Sequence, residues 1–315
     1  MNILTHSPTT EHTFNGKHFY LKRDDLLHPQ FSGNKARKLM TLLDAPLPQI
    51  TTLISYGSPQ ANSLYSFAAL AQLRGWQFEY YVDHIPQWVS EHPQGNYKAA
   101  LALGAKIYPT GQSPEAVMQM HPYDYIQQVR CPDDHCLVLP EGGRSDIAQP
   151  GIAALGDEII TWCNQHRIKH PVVALPSGTG TTALYLHQHL ASHQIQVLTC
   201  ACVGGDSYLK KQWDMLSATS YPTILSLTQK HHFGKLYREN YVLWLNLCRE
   251  TQVEFDLLYD PLMWRCLQGW LAEHPDRPLI YLHQGGLLGN VSMQARYQRK
   301  YADLPPYRHH AAKLR

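Results

Sequence analysis

Val172 to Leu186 reads VVALPSGTGTTALYL: an apolar β-branched run, a Ser/Gly/Thr turn and a helical pattern in immediate succession. A strand that passes through glycines straight into a helix is the repeating unit of a parallel sheet wrapped by helices. In the turn, Ser177, Gly178, Thr179, Gly180, Thr181 and Thr182 would gather N–H groups and hydroxyls at a helix N-terminus. That arrangement suits an anion, phosphate above all. Three readings fit: a phosphate cradle, a dinucleotide-binding turn, or a tight turn with no ligand. The spacing Gly178-x-Gly180-x-x-Ala183 matches the loose dinucleotide fingerprint. The following strand, IQVLTCACVGG, lacks the terminal acid that holds a ribose, because Asp206 lies beyond two glycines. No lysine precedes the final threonines, so the P-loop pattern does not apply.

The same alternation extends along the chain. TTLISYG (51–57), FEYYVD, AKIYP, CLVLPEGG and PLIYLHQGG read as strands. NSLYSFAALAQLRGW ending at Gly75, GNYKAALALGA stopped by Gly104, IAALGDEIITWCNQH after Gly151, TTALYLHQHLAS and a segment around 235–250 read as helices. Two such series predict two α/β domains with a cleft between them: residues 45–146 as a small inserted domain, and 1–44 with 147–315 as the large one. Further glycine turns follow strands at SYGSPQANS, LPEGGRSD and LHQGGLLG. Together they describe ligand contacts at the carboxyl ends of strands, where open α/β sheets bind their ligands.

Composition narrows the class. With 44% apolar and 17% charged residues in 315, the chain reads as globular with a large core. A net charge of +2 without any dense basic block gives no electrostatic support for nucleic acid or anionic membrane as partner. No segment approaches a membrane span and the start lacks a basic, apolar leader, so a soluble cytoplasmic protein is expected. The seven cysteines are scattered and odd in number, which fits reduced thiols. Cys131/Cys136 and Cys200/Cys202 resemble half-sites for zinc, but no second pair completes either, and no metal is expected.

FSGNKARKLMTLL, Phe31 to Leu43, places a lysine where a helix opens, an end that favours anions. For a helix starting near Asn34, the apolar residues Ala36, Leu39, Met40, Leu42 and Leu43 share a face. Their mean direction lies about 70° from Lys35 and about 130° from Arg37 and Lys38. Lys35 is therefore expected at the margin of the buried face, with Arg37 and Lys38 pointing away. Burial and the helix dipole would both lower the amine pKa, as a nucleophile adding to an aldehyde requires. An ordinary surface lysine is the alternative. A phosphate cradle, an amine nucleophile and glycine-lined slots for a planar ring add up to pyridoxal phosphate.

With these residues in view, the chain resembles the fold-type-II pyridoxal-phosphate enzymes of the 1-aminocyclopropane-1-carboxylate deaminase and D-cysteine desulfhydrase group. YLKRDDLLHPQFSGNKARKLMTLL is similar to their N-terminal signature, and PQANS, PEGGRSDIAQPGIAALGDEI, SGTGTT and LHQGG follow in family order. The resemblance implies a tryptophan-synthase-β-like architecture of two open twisted α/β domains, with the active site in the cleft and a homodimeric assembly. It implies that Lys35 carries the cofactor, that Asn62 hydrogen-bonds the pyridoxal 3′-oxygen, and that Ser177 to Thr182 hold the phosphate. Ser58, Gln60 and Gln284 are candidate substrate contacts.

Two departures bear on chemistry. Ala61 stands where the family has a serine. In YDPLMWRCL, Met263 takes the register of a family tyrosine with Trp264 after it, and Tyr259 is four residues away. Methionine packs against a ring but cannot relay a proton. The resemblance implies a lyase or deaminase acting on a small amino acid, with D-cysteine-like α,β-elimination favoured over opening of a cyclopropane ring. A catalytically altered carrier or regulatory protein, an amino-acid racemase and, more remotely, a nicotinamide-dependent enzyme are the alternatives.

Overall fold

A computed structural model describes residues 4, 6–112 and 120–307. Its strands are β1 (Thr9–Phe14), β2 (Lys17–Lys22), β3 (Thr52–Tyr56), β4 (Gln77–Val82), β5 (Lys106–Pro109), β6 (Cys136–Val138), β7 (Val172–Ser177), β8 (Gln196–Ala201), β9 (Thr223–Ile224) and β10 (Leu279–Leu282). They form two sheets. One has the order β1-β2-β10-β7-β8-β9 and the other β5-β4-β3-β6. Only β1 and β2 pair antiparallel; the remaining pairs are parallel. The proposed inserted unit, 45–146, encloses all four strands of the smaller sheet.

Strand periodicity explains the layering. In β7, Val172 and Ala174 face a core shared with Trp244, Leu262 and Leu267, from the Arg238–Thr251 and Asp260–Glu273 helices. Val173 and Leu175 face the opposite core, with Ile152, Leu155, Ala183 and Leu186 from the Ala148–His166 and Thr181–Leu190 helices. Both faces are covered, so β7 is apolar throughout rather than alternating. The smaller sheet buries Leu53, Phe78, Tyr80 and Val82 against Leu64 and Phe67 of the Asn62–Arg74 helix. Ala36 and Leu39 of the lysine helix, Gly33–Leu39, join the same core.

The structure revises several expectations. The lysine helix runs Gly33–Leu39 and is followed by a separate turn of helix, Thr41–Asp44. The helix expected after Gly151 begins earlier, at Ala148. Gly151 lies inside it because a Cβ there would stand 1.9 Å from the Arg37 carbonyl oxygen, so glycine permits the close crossing of two helices. The helix expected around 235–250 starts at Arg238. The β1–β2 hairpin closes through Asn15-Gly16, both at positive φ (49° and 73°), the geometry of a two-residue hairpin turn.

Arg37 and Lys38 do not point away. Each is 2% exposed, because the lysine helix is enclosed on several sides instead of packing along a single stripe. Arg37 donates to Asp24 at 2.9 and 3.0 Å and to both oxygens of Glu158 at 2.7 Å. Lys22 adds a 2.6 Å bond to Glu158. This network ties β2, the Asp24–Leu26 turn, the lysine helix and the Ala148–His166 helix together. Burial opposes ionisation of Glu158, but the hydrogen bonds and charge of Arg37, joined by Lys22, prevail and lower its pKa from the usual 4.5 to about 2. Its contribution to stability is thus present above about pH 4.5 and lost as pH falls toward 2. Glu158→Gln should cost about 3–5 kcal/mol by leaving Arg37 short of a partner. It should also flatten the acid limb of Tm against pH, measured by thermal melts.

Candidate active site

A cavity of about 300 Å³ opens beyond the carboxyl ends of β3, β7 and β10. It brings together the candidate cofactor and substrate contacts: Lys35, Ser58, Gln60, Asn62, Ser177 to Thr182 and Gln284. They arrive from four separate segments. The lysine helix starts at Gly33, at φ +65°, where a Cβ would lie 1.9 Å from the Gln284 carbonyl oxygen. The Asn34 N–H donates to that same oxygen at 3.1 Å. The start of the helix is thereby pressed against the turn that follows β10, and Lys35 is aimed inward.

Lys35 Nζ donates to Asn34 Oδ1 at 3.0 Å. Burial lowers its pKa from 10.5 to about 8, against the opposing charges of Asp256 and Glu141. At pH 7 that multiplies the neutral-amine fraction about 300-fold. Lys38 also lines the cavity and donates to the Gly142 carbonyl at 2.6 Å. Burial, then the positive charges of Lys35 and Arg144, pushes its pKa well below the usual value. It went unread in the sequence because the helix was assigned one buried face. Its i+3 spacing from Lys35, which makes the two neighbours on a helix surface, was the available signal.

The glycine-rich turn is an anion site by construction. Gly180, at φ +71°, admits Leu209 and Trp213 so closely that a Cβ would stand 2.4 Å from each. Trp213 Nε1 donates to the Gly180 carbonyl at 2.9 Å and holds the turn down. The Thr179 and Thr181 hydroxyls lie 3.3 Å apart. Buried Thr182 Oγ1 has no hydrogen-bond partner among the described residues, an unfavourable arrangement unless a ligand supplies one. Ser177 is committed elsewhere: its hydroxyl bonds Thr199 Oγ1 at 2.7 Å, and Thr199 donates to the Leu175 carbonyl at 2.8 Å.

Other candidates are sorted by their partners. Gln284 Nε2 donates to the Pro176 carbonyl at 2.7 Å and its Oε1 accepts from Asn34 Nδ2 at 3.1 Å, so its amide braces the wall. Ser58 Oγ accepts the Gln60 N–H at 3.3 Å. Asn62 Nδ2 donates to Asp256 Oδ2 at 2.8 Å, while its Oδ1 accepts from Asn96 at 2.7 Å. Ala61 is the N-cap of the Asn62–Arg74 helix and offers no side-chain cap. Met263, in the register of the family tyrosine, does not reach the cavity. Met263 is fully buried in the core away from the cavity, Trp264 stacks on Tyr281 at 4.9 Å, and Tyr259 lines the cavity beside Gly178. The Asp260–Glu273 helix turns Met263 toward the sheet, whereas Tyr259 precedes that helix and is free to face the ligand side. Burial raises the Tyr259 phenol pKa, so it is a protonated donor at neutral pH.

A family profile described as pyridoxal-phosphate dependent enzyme matches residues 3–238. The chain belongs to this family. A protein named "Putative 1-aminocyclopropane-1-carboxylate deaminase" from Pyrococcus furiosus is 25% identical over 179 residues, 56% of this chain and 52% of its own length. Its namesake from Pyrococcus horikoshii is 28% identical over 171 residues, 53% and 49% of the two chains. The chain thus spans about half the length of the curated relatives it matches. Among solved structures, an ACC deaminase homologue has a TM-score of 0.74 at 20% identity, over 95% of each chain. A hydrogen sulfide-producing enzyme from Fusobacterium nucleatum has 0.67 at 12% identity, over 94% of this chain and 90% of that one. The shared architecture is pyridoxal-phosphate fold type II.

The residues present fit that cofactor. An unpartnered Thr182 hydroxyl and the buried Lys38 amine border a cradle suited to a phosphate, and Lys35, its pKa also lowered, shares the cavity. Gly286, at φ +88°, must lack a side chain, because a Cβ would meet Asn62 Nδ2 at 2.3 Å and Asp256 Oδ2 at 2.5 Å. Gly286→Ala should therefore cost about 1–3 kcal/mol in urea unfolding, from overpacking and backbone strain, and displace Asn62 from Asp256 in a crystal structure.

Proposed function

We propose that the protein is a pyridoxal-phosphate-dependent lyase acting on a small amino acid, by D-cysteine-like α,β-elimination. The observation that carries this reading is the convergence of the Lys35 amine and the Ser177–Thr182 cradle, with its unpartnered Thr182 hydroxyl, in one cavity. When bound, the cofactor supplies an electron sink that acidifies the α-carbon of an attached amino acid. In this proposal Gly178 to Thr182 and Lys38 hold its phosphate, and Asn62 donates to its 3′-oxygen. Lys35 holds the aldehyde in the resting state, then takes the α-proton once released. The helix N-terminus at Asn62–Ser63, which has no side-chain cap, offers N–H groups to the substrate carboxylate, with Ser58 and Gln60 beside it. Cysteine and one water would give pyruvate, ammonia and hydrogen sulfide.

Elimination is favoured over cyclopropane opening because Ala61 carries no hydroxyl at the substrate end, although the Tyr259 phenol does face the cavity. A cytoplasmic location and a homodimer belong to the same proposal. Among the described residues, no helix is long and apolar enough to cross a membrane.

Purified protein should absorb in the visible, and borohydride should bleach it with a single label at Lys35. Lys35→Ala should abolish both the label and turnover, a loss of at least a thousandfold. Incubation with D- and L-cysteine, serine, alanine and the cyclopropane amino acid should release oxo acid and sulfide from one cysteine enantiomer. Racemised substrate without oxo acid would support the racemase reading, and a labelled protein inert to all of them a carrier. Thr182→Val should weaken cofactor binding about tenfold, the equivalent of one hydrogen bond to a charged group, as read by equilibrium dialysis.

A further inference from the structure

The Gly289–Lys300 helix lines one side of the cavity with Gly289, Ser292, Met293 and Arg296. That spacing, i, i+3, i+4 and i+7, is one face of a helix. Its rotation is fixed at the start by buried Asn290, whose Oδ1 accepts the Leu257 N–H at 2.7 Å and whose Nδ2 donates to the Phe255 carbonyl at 2.8 Å. Buried Tyr297 fixes it again near the end. Gly289 lies against Asn62, because a Cβ there would stand 3.1 Å from Asn62 Oδ1. Arg296 follows seven residues later on the same face, about 10 Å along the axis. Helical side chains lean back toward the N-terminus, and Arg296 does so: its Nη1 donates to Met293 Sδ at 3.2 Å. The guanidinium therefore stands on the Asn62 side of its own Cα, on the cavity wall.

Arg296 is underused as a donor. A guanidinium carries five N–H groups. Among the described residues, Arg296 engages only the Met293 sulfur and, from Nη2, the Gly234 carbonyl at 3.0 Å. A thioether is a weak acceptor, and no carboxylate of the described residues forms an ion pair with this arginine. Arg37, Arg130 and Arg238, by contrast, each meet one. The three carboxyls on the cavity wall, Glu141, Asp256 and Asp260, are placed elsewhere. Asp256 accepts from Asn62 and Asp260 from Tyr281 at 2.6 Å, while Glu141 stands by Gly57 just after β3.

We propose that Arg296 is the specificity-determining residue of this cavity, and that the amino acid it admits carries a β-substituent ending in an oxyanion, a carboxylate or a phosphate. Both match the planar fork of a guanidinium through two parallel hydrogen bonds. The α-carboxylate is already assigned to the helix start at Asn62–Ser63, so this is a second negative group on the substrate. A cysteine thiol offers the fork no such acceptor, whereas a longer cysteine thioether or a serine ester does. The reaction balances as an elimination. The α-proton passes to Lys35, the bond from Cβ to sulfur or oxygen breaks with its electron pair on the leaving group, and one water enters. S-carboxymethylcysteine would give pyruvate, ammonia and thioglycolate, and O-phosphoserine would give pyruvate, ammonia and phosphate. The assignment rests on the lyase reading of this cavity.

Two matched pairs test it with cofactor-loaded protein, in both enantiomers: S-carboxymethylcysteine against its neutral amide, S-carbamoylmethylcysteine, and O-phosphoserine against O-methylserine. Within at least one pair the charged member should have a KM about tenfold lower, the equivalent of one charge-assisted hydrogen bond. Arg296→Gln should raise that KM about tenfold, move kcat much less and erase the preference. Arg296→Lys, which keeps the charge without the fork, should restore part of it. Binding is read without turnover from the Tm of protein incubated with excess pyridoxal phosphate and 2-amino-4-phosphonobutyrate, in which a methylene replaces the leaving oxygen. The Tm should rise for wild-type protein and not for Arg296→Gln. Equal KM values within both pairs for wild-type protein, or a preference that survives in folded Arg296→Gln, overturn the proposal. An Arg296-dependent Tm rise without turnover of any amino acid sinks the proposed function alone. Cysteine turnover with neither preference nor Tm rise sinks the Arg296 assignment alone.

Discussion

A guanidinium held between two carboxylates orders this site. Arg37 sits about 160° around the helix from Lys35, and Lys38 about 60°, at 100° per residue. Fixing Arg37 between Asp24 and Glu158 therefore turns both lysines to the other side, where the cavity lies. A buried ion pair of this kind adds little net stability over an apolar contact, but breaking it is costly. Its value here is orientation. The short lysine helix has no side-chain cap of its own, so its rotation is set by partners distant in sequence.

Close approach sets the depth of the cavity. Gly33 lets the lysine helix touch the turn after β10, Gly151 lets a second helix cross it at Arg37, and Gly286 makes room for the Asn62–Asp256 bond. Each glycine removes a Cβ that would collide with backbone or with a hydrogen-bonded side chain, so none is interchangeable with alanine. These contacts bury Asp256 and enclose much of Lys35. Desolvation lowers the Lys35 amine and raises the Asp256 carboxyl toward the same neutral range. Two groups of opposite charge type drawn together in pKa are a common signature of acid–base chemistry.

Much of this was legible from local residues. The apolar runs of β3, β7 and β10 and the glycines after them read directly as parallel strands ending at a ligand site. The turn Ser177–Thr182 carries its anion preference in backbone N–H groups and hydroxyls. The hairpin of β1 and β2 went unread despite its Asn15-Gly16 turn, because both strands are partly exposed and lack a clean apolar alternation. Tyr259 was harder. Register alone placed Met263 at the cavity, and only the start of the Asp260–Glu273 helix shows which of the two side chains faces the ligand.

By itself, then, the sequence determined the alternation of strands and helices, the anion-binding turn and the candidate nucleophile, because each rests on neighbours within a few residues. Tertiary structure alone decided that Arg37 and Lys38 are buried, that Ser177 and Gln284 spend their hydrogen bonds on the scaffold, and that Asp256 joins Asn62 beside Lys35. Those outcomes depend on pairs separated by 13 to 250 positions, such as Arg37 with Asp24, Ser177 with Thr199, Asn62 with Asp256 and Asn34 with Gln284. Burial and charge at such pairs are properties of the packed chain, and no local pattern encodes them.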